Sequence, residues 1–172
     1  MKLSIDRKYI HFYDYYSVVP LLFYIGLIYQ SLCNREIQPF LFAIYILFAD
    51  IIVSLLKRIP YSKTSWFYPH TRRPKGANRC DYLSRNMDYT DESPGLPSGH
   101  MTTTSIFATY MTMKNPTIHY FFLHGGIVTV MGMARYYKKC HTSLQIGLGT
   151  ALGVGMGALY YMVEKKFNAR YT

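Results

Sequence analysis

Two histidines and two arginines in this 172-residue chain have side chains suited to binding a tetrahedral anion. His100 follows the turn-forming segment 97–99 and opens an apolar run, His141 follows Arg135 closely, and Arg73 lies in a basic segment before them. Arginine forks neutralise phosphate oxygens, backbone N–H groups at a helix start donate to them, and imidazoles move protons or attack phosphorus. These residue types therefore indicate a phosphate site, provided that the fold brings them together.

Five apolar segments must position these residues, and they cover residues 18–32, 37–56, 99–113, 116–134 and 143–163. The second segment has the ~20 residues that a helix needs to cross a hydrocarbon core. A soluble helical bundle is the alternative, and Asp50, His119 and His124 favour it because polar groups are costly in a bilayer. Short connections and abundant tyrosine favour the membrane. The sequence therefore predicts one all-α domain, residues 1–172, built as a polytopic membrane bundle of about five transmembrane helices.

The last apolar segment carries glycines at four-residue spacing, namely Gly149, Gly153 and Gly157. This spacing lets helix backbones approach each other closely inside a bilayer. We therefore expect the last helix to pack tightly against another helix of the bundle.

The loop at residues 57–97 contains eight of the nineteen Lys and Arg residues. Such a loop is either a solvated positive flank beside a membrane or an anion site. A second polar segment, residues 134–145, follows two predicted spans later, and an even number of crossings returns it to the same face. This topology brings five side chains to one membrane surface and favours the anion site: Arg73, Ser98, His100, Arg135 and His141.

Three motifs, in this order and spacing, resemble those of the type 2 phosphatidic acid phosphatases, membrane relatives of the vanadium haloperoxidases. The family's first motif is a lysine followed after six residues by Arg-Pro; Arg73-Pro74 fits, but Trp66 occupies the lysine position. The second, Pro-Ser-Gly-His, is intact at residues 97–100. The third, Ser-Arg, five residues, His, three residues, Asp, appears as Ala134-Arg135, His141 and Gln145.

The resemblance implies a phosphatidic acid phosphatase/haloperoxidase-like core and a mechanism that needs no metal or other cofactor. His141 would attack phosphorus to form a phosphohistidine, and His100 would protonate the departing alcohol and then activate water. Arg73, Arg135 and the backbone amides of Ser98 and Gly99 would hold the transferring phosphoryl oxygens. Pro97 of the same motif would belong to the substrate-binding residues.

The missing motif lysine leaves two candidates for binding phosphate. Lys57 ends the second apolar segment, and Lys63 lies in the loop that follows it. We favour Lys57, with the residues between it and Arg73 looped away from the site.

Gln145 stands where the family has an aspartate that orients the nucleophilic imidazole. Its carbonyl can accept the Nδ1 proton, but it supplies no negative charge. In serine proteases the loss of that charge on the corresponding carboxylate costs ~10⁴ in rate. The sequence therefore predicts reduced activity, or replacement of the carboxylate by one of four acidic residues in the loop: Asp81, Asp88, Asp91 or Glu92.

The sequence thus predicts a lipid phosphate phosphatase acting on a phosphatidate-like or polyprenyl-diphosphate-like amphiphile. Two alternatives are a lipid phosphotransferase with the same nucleophile and a weakened member with a membrane-structural or lipid-binding role. We expect a phosphorylated lipid and membrane lipids as partners, and no nucleic acid.

Charge and cysteine usage give expectations for the compartment. Fourteen of the nineteen Lys and Arg lie in residues 1–17, 57–97 and 135–142, and the positive-inside rule then puts the site on the cytosolic face. Cysteines 33, 80 and 140 have no metal-binding spacing, and their odd number favours three free thiols. A Cys80–Cys140 bridge is the alternative, because both residues fall on one face of the predicted topology.

Overall fold

The computed structural model of the protein describes residues 15–59, 68–75, 77, 80 and 93–171. These residues form six α-helices: α1 (Val19–Asn34), α2 (Ile37–Leu56), α3 (Tyr68–Thr71), α4 (Gly99–Lys114), α5 (Ile118–Tyr137) and α6 (Ser143–Tyr171). The all-α prediction is confirmed. The five long helices overlap the five predicted apolar segments, and α6 continues eight residues beyond the predicted end at residue 163.

Helix α4 lies at the centre of the bundle and packs most extensively along α6. A Cβ atom added at Gly149 would lie 2.7 Å from the Ser98 carbonyl oxygen, and one at Gly157 would lie 2.6 Å from the Ile106 carbonyl oxygen. A Cβ at Gly153 would come closer still to the backbone of α4. The glycine spacing therefore lets α6 touch the α4 backbone, as the sequence predicts.

Among the described residues, two helices have both the length and the apolar composition of a membrane span. Helix α2 and residues 143–169 of α6 are long and apolar enough to cross a membrane, by length and composition. Helix α4 is less apolar because it carries Thr102, Thr103 and Thr104, which are buried against its neighbours. That all five long helices cross the bilayer, as one domain, stays a prediction.

An aromatic and aliphatic core ties α2 to α4 and α6. Phe42 and Ile46 are fully buried in it. The ring of Phe42 lies 4.0 Å from that of Tyr110 in α4 and 4.9 Å from that of Tyr160 in α6, between centroids. This core fixes the helices at one end of the bundle, and the residues of the three sequence motifs lie at the other end.

Candidate functional site

A polar cavity of about 210 Å³ opens between α1, α2, α4 and the turn that joins α5 to α6. The residues that line it come from all three motif regions: Pro20, Asp50, Val53, Ser54, Lys57, Arg73, Gly99, His100, Thr103 and His141. The structure thus brings both predicted catalytic histidines, the arginine of the first motif and one of the candidate lysines to a single cavity.

Lys57 follows the last turn of α2, and its side chain reaches the first turn of α4. A Cβ added at Gly99 would lie 3.7 Å from the Lys57 Nζ atom. The first N–H groups of a helix have no acceptor within that helix, and they form the positive end of its dipole. The ammonium group and the start of α4 therefore contribute positive charge at the same point of the cavity.

His141 lies in the turn between α5 and α6, and only 3% of its surface is exposed. Its Nδ1 atom is 3.1 Å from Gln145 Oε1. Because the amide oxygen can only accept, Nδ1 carries the proton and Nε2 carries the lone pair. Burial, and then the positive charges of Arg73 and Lys57, hold the pKa of His141 well below its usual range. The imidazole is therefore neutral and suited to be a nucleophile.

The Gln145 side chain is completely buried and joins the turn of His141 to the segment that carries Arg73. Its Oε1 also accepts from the Thr142 N–H at 3.2 Å. Its Nε2 donates to the carbonyl oxygens of His70 at 3.0 Å and Arg72 at 2.6 Å. The amide thus donates to two carbonyl oxygens to which an ionised carboxylate could not donate. Both ends of the side-chain amide at this position, where the family has aspartate, are hydrogen-bonded.

Gly95 makes room for this amide. A Cβ added at Gly95 would lie 2.7 Å from Gln145 Oε1 and 2.8 Å from Nε2, which is closer than Cβ contacts permit. The Gly95 N–H also donates to the Thr71 carbonyl oxygen at 2.8 Å. Gly95 therefore belongs to the site, and sequence reasoning missed it because its contact partner is fifty residues away.

Arg73 is held by backbone contacts on both sides. Its N–H donates to the Ser93 carbonyl oxygen at 3.1 Å, next to an isolated bridge between Arg72 and Pro94. Its Nη1 atom donates to the Cys140 carbonyl oxygen at 3.3 Å. These contacts place the guanidinium beside the turn of His141.

Ser98 occupies the N-cap position of α4, is completely buried and makes no side-chain capping hydrogen bond. Its N–H donates to the Gln145 carbonyl oxygen at 3.3 Å, and the peptide bond between Leu96 and Pro97 is cis. The Ser98 amide therefore already has an acceptor within the protein. Of the second motif, Gly99 and His100 line the cavity, and Pro97 and Ser98 are not among its lining residues.

Arg135 is completely buried and is not among the residues that line the cavity. Its Nη1 donates to the Cys80 carbonyl oxygen at 2.6 Å, and its Nη2 donates to Ser17 Oγ at 2.6 Å. His100 Nε2 lies 3.3 Å from the Ser17 carbonyl oxygen. Ser17 therefore contacts two predicted site residues, and no local sequence pattern marks it. Direct contact of Arg135 with phosphate stays a prediction.

Cys80 and Cys140 form a disulfide, with 5.4 Å between their Cα atoms. The expectation of three free thiols is therefore wrong, and Cys33 is the free cysteine. Sequence reasoning could not decide this pairing because sixty residues separate the two cysteines. The bridge joins the loop of the first motif to the residue before His141.

Other predicted residues fall elsewhere. Lys63 and the four acidic residues proposed to replace the family aspartate, Asp81, Asp88, Asp91 and Glu92, lie outside the described residues. His124 Nδ1 is 2.9 Å from Thr112 Oγ1, which gives it the interhelical hydrogen bond expected of a histidine in such a helix.

The all-α bundle and its cavity define this chain as a helical protein in which two histidines and two cationic side chains meet at one cavity. The sequence profile of the PAP2 superfamily matches residues 38–169, and the chain belongs to that superfamily. Membership confirms the resemblance drawn from the three motifs, and it supports a phosphatase-type function in general. No curated protein and no solved structure matches the chain significantly.

Proposed function

We propose that the protein is a membrane lipid phosphate phosphatase that works through a phosphohistidine at His141. The observation that carries the proposal is the single cavity lined by Lys57, Arg73, His100 and His141. Two fixed cations beside two imidazoles suit a phosphoryl group, whose transfer depends mainly on positioning and charge stabilisation.

In the first step the lone pair of His141 Nε2 attacks phosphorus, and the bond between phosphorus and the alcohol oxygen breaks. The departing oxygen takes a proton from His100, and the substrate alcohol leaves as a neutral molecule. Lys57, Arg73 and the amide of Gly99 offset the charge on the three phosphoryl oxygens, as donors aimed at developing charge do in other sites.

In the second step His100, now neutral, takes a proton from water while the water oxygen attacks phosphorus. The bond between phosphorus and Nε2 of His141 breaks, and its electron pair returns to the ring. Phosphate leaves, and both histidines regain their starting protonation. A lipid alcohol in place of water would turn the same cycle into phosphotransfer, and product analysis separates the two.

Gln145 changes the balance between these steps. During attack the His141 ring gains positive charge, which a carboxylate would stabilise and an amide stabilises less. Formation of the phosphohistidine is therefore slower than in relatives with aspartate, while the less stabilised intermediate is a better phosphoryl donor. We propose that the first step limits the rate.

A lipid substrate is supported by the surroundings of the cavity. Helix α2, which ends at the site, is long and apolar enough to cross a membrane, and Leu47, Phe48, Ile51 and Leu55 on it are exposed. Polar contacts at the cavity and apolar surface below it suit an amphiphile whose headgroup carries the phosphate and whose tails stay in the bilayer.

The face of the membrane is a separate proposal, on which two observations disagree. The count of Lys and Arg favours the cytosol, whereas the Cys80–Cys140 disulfide favours an oxidising compartment. We propose the oxidising side, because Lys57 and Arg73 line the cavity and so have a reason for their charge other than orientation. A cysteine is introduced at the exposed Lys139 in a Cys33→Ser background, because Cys33 is free, exposed and at the end of α1 away from the cavity. Its modification by a membrane-impermeant thiol reagent on intact cells tests this proposal. Labelling supports it, and labelling only after permeabilisation contradicts it.

The function is tested by phosphate release from the purified chain in detergent. The panel should contain phosphatidate, lysophosphatidate, a sphingoid phosphate and a polyprenyl diphosphate. We expect release from at least one substrate, inhibition by vanadate, and loss of release in His141→Ala. His119→Ala, which changes a histidine away from the cavity, is the matched control and should retain the native rate. No release from any substrate, or an unchanged rate in His141→Ala, would refute the enzyme.

A weakened member that binds phosphorylated lipid without turnover is a second candidate, favoured by the neutral Gln145 partner of His141. It predicts vanadate or phosphate binding that depends on Arg73, with no phosphate release from the native chain.

A further inference from the structure

A carboxylate lies in the same cavity but takes no part in the proposed reaction. Asp50 lines the cavity together with Lys57, seven residues later in the chain. Seven residues of helix correspond to about 10 Å along the helix axis, so the Cα atom of Asp50 lies roughly that far below the Cα atom of Lys57. Asp50 is half-buried, and an acidic residue in an apolar helix is costly and usually has a function.

The contacts of Asp50 show that it acts as an acceptor. Tyr24 Oη donates to one carboxylate oxygen at 2.6 Å, and Thr103 Oγ1 donates to the other at 2.5 Å. A carboxylate has about four acceptor sites on its two oxygens. Two sites therefore remain, and the cavity is the space into which a further donor could come.

Neither the nucleophile nor the phosphoryl group accounts for this carboxylate. His141 has Gln145 as its Nδ1 partner, so Asp50 does not replace the family aspartate there. A phosphate placed between Lys57 and Arg73 would be repelled by a second negative charge. The part of the substrate that can meet Asp50 favourably is the alcohol that leaves, which extends from the phosphate toward the bilayer.

We propose that Asp50, oriented by Tyr24 and Thr103, binds a hydrogen-bond donor on the alcohol portion of the substrate. The inference rests on the proposed phosphatase function. It selects monophosphates with an amino or hydroxyl group close to the phosphate ester. A diphosphate is a poorer substrate, because its second phosphate would approach the carboxylate.

The test compares three alkyl phosphates of equal chain length that carry an amino group, a hydroxyl group or hydrogen at carbon 2. The native chain should have the highest kcat/KM for the amino compound, then the hydroxyl compound, then the unsubstituted one. A hydrogen bond between charged groups is strong enough for a difference of about 10-fold or more between the first and the last. This comparison needs no variant.

Asp50→Asn then removes the charge and nearly preserves the shape. We expect kcat/KM to fall about 10-fold for the amino compound and to rise for the unsubstituted one, because the repulsion of phosphate is removed. Opposite changes for two substrates cannot come from a loss of folded protein. Glu164→Gln makes the same change of charge at the other end of the bundle, where Glu164 lies 3.4 Å from Lys114, and it should leave the ratio unaltered.

Two outcomes would overturn the inference and leave the phosphatase standing. One is equal kcat/KM of the native chain for all three phosphates, and the other is an equal fall for all three in Asp50→Asn. No hydrolysis of any phosphate by the native chain would instead refute the proposed function, and the inference would fail with it.

Discussion

Gln145→Glu tests whether the side-chain amide joins the nucleophile to the arginine segment. The substitution keeps the length of the side chain and the acceptor for His141. It replaces Nε2, which donates to the carbonyl oxygens of His70 and Arg72, by an oxygen that cannot donate when ionised. A carboxylate oxygen would then face two carbonyl oxygens inside a completely buried region.

The magnitude follows from the two lost hydrogen bonds. Each contributes ~1 kcal/mol, so the free energy of unfolding should fall by about 2 kcal/mol, before any repulsion between oxygens. In a domain of this size a loss of 1 kcal/mol lowers Tm by ~2–4 °C, and we expect a fall of about 4–8 °C. The repulsion raises the pKa of the new carboxyl group. With a raised pKa in the folded state, the destabilisation grows as the pH rises from the unfolded-state pKa through the folded-state pKa, so the deficit should be smaller at pH 5 than at pH 7.

Thermal unfolding of the purified chain in detergent measures this effect. Gln38→Glu makes the same chemical change in the first turn of α2, where a negative charge is favourable, and it should not lower Tm. An equal or higher Tm for Gln145→Glu at pH 7 would contradict the reasoning, because the amide donors would then contribute nothing to the fold.

Three further predictions concern packing, the disulfide and pH. Gly153→Ala should lower Tm strongly because its Cβ would meet the α4 backbone. Gly155→Ala, with no atom within 4 Å of the new Cβ, should leave Tm equal or higher. Equal effects of the two substitutions on Tm would refute the close approach of the helices. Cys80→Ser opens a loop of sixty residues, and the regained loop entropy should lower the free energy of unfolding by about 4 kcal/mol. Chemical denaturation measures this loss, and an unchanged midpoint under oxidising conditions would contradict the bridge. The lowered pKa of His141 keeps the nucleophile neutral below pH 6.5, so the acid limb of kcat/KM against pH should lie below that value, and a limb above it would contradict the burial of this imidazole.

The sequence was informative where function depends on local spacing. Gly99 and His100 of the second motif and Arg73 of the first were predicted as site residues, and they line one cavity. A helix start and its preceding turn are encoded by neighbours in the chain. The glycine spacing predicted a close helix contact for the same reason. The sequence could not identify α4 as the helix that contacts these glycines, because helix pairing depends on the whole bundle.

Long-range contacts escaped prediction. In the sequence alone, Gln145 is a departure from the motif that predicts reduced activity. The structure shows that its side chain donates hydrogen bonds to the carbonyl oxygens of His70 and Arg72, more than seventy residues away. Ser17 and Tyr24 are ordinary residues in sequence, yet they contact Arg135 and Asp50. The partners of such residues are set by tertiary packing, which a single sequence does not display.

Detection of a phosphoenzyme at residue 141 tests the central claim most directly. The native chain and His100→Ala would be incubated with radiolabelled p-nitrophenyl phosphate, whose leaving group needs no acid, and then quenched in alkali, which preserves phosphohistidine. We expect label on the peptide containing His141 in His100→Ala, because activation of water is lost, and less label in the native chain, where water removes the phosphoryl group. Steady phosphate release by the native chain without label on His141 in either protein would contradict the account.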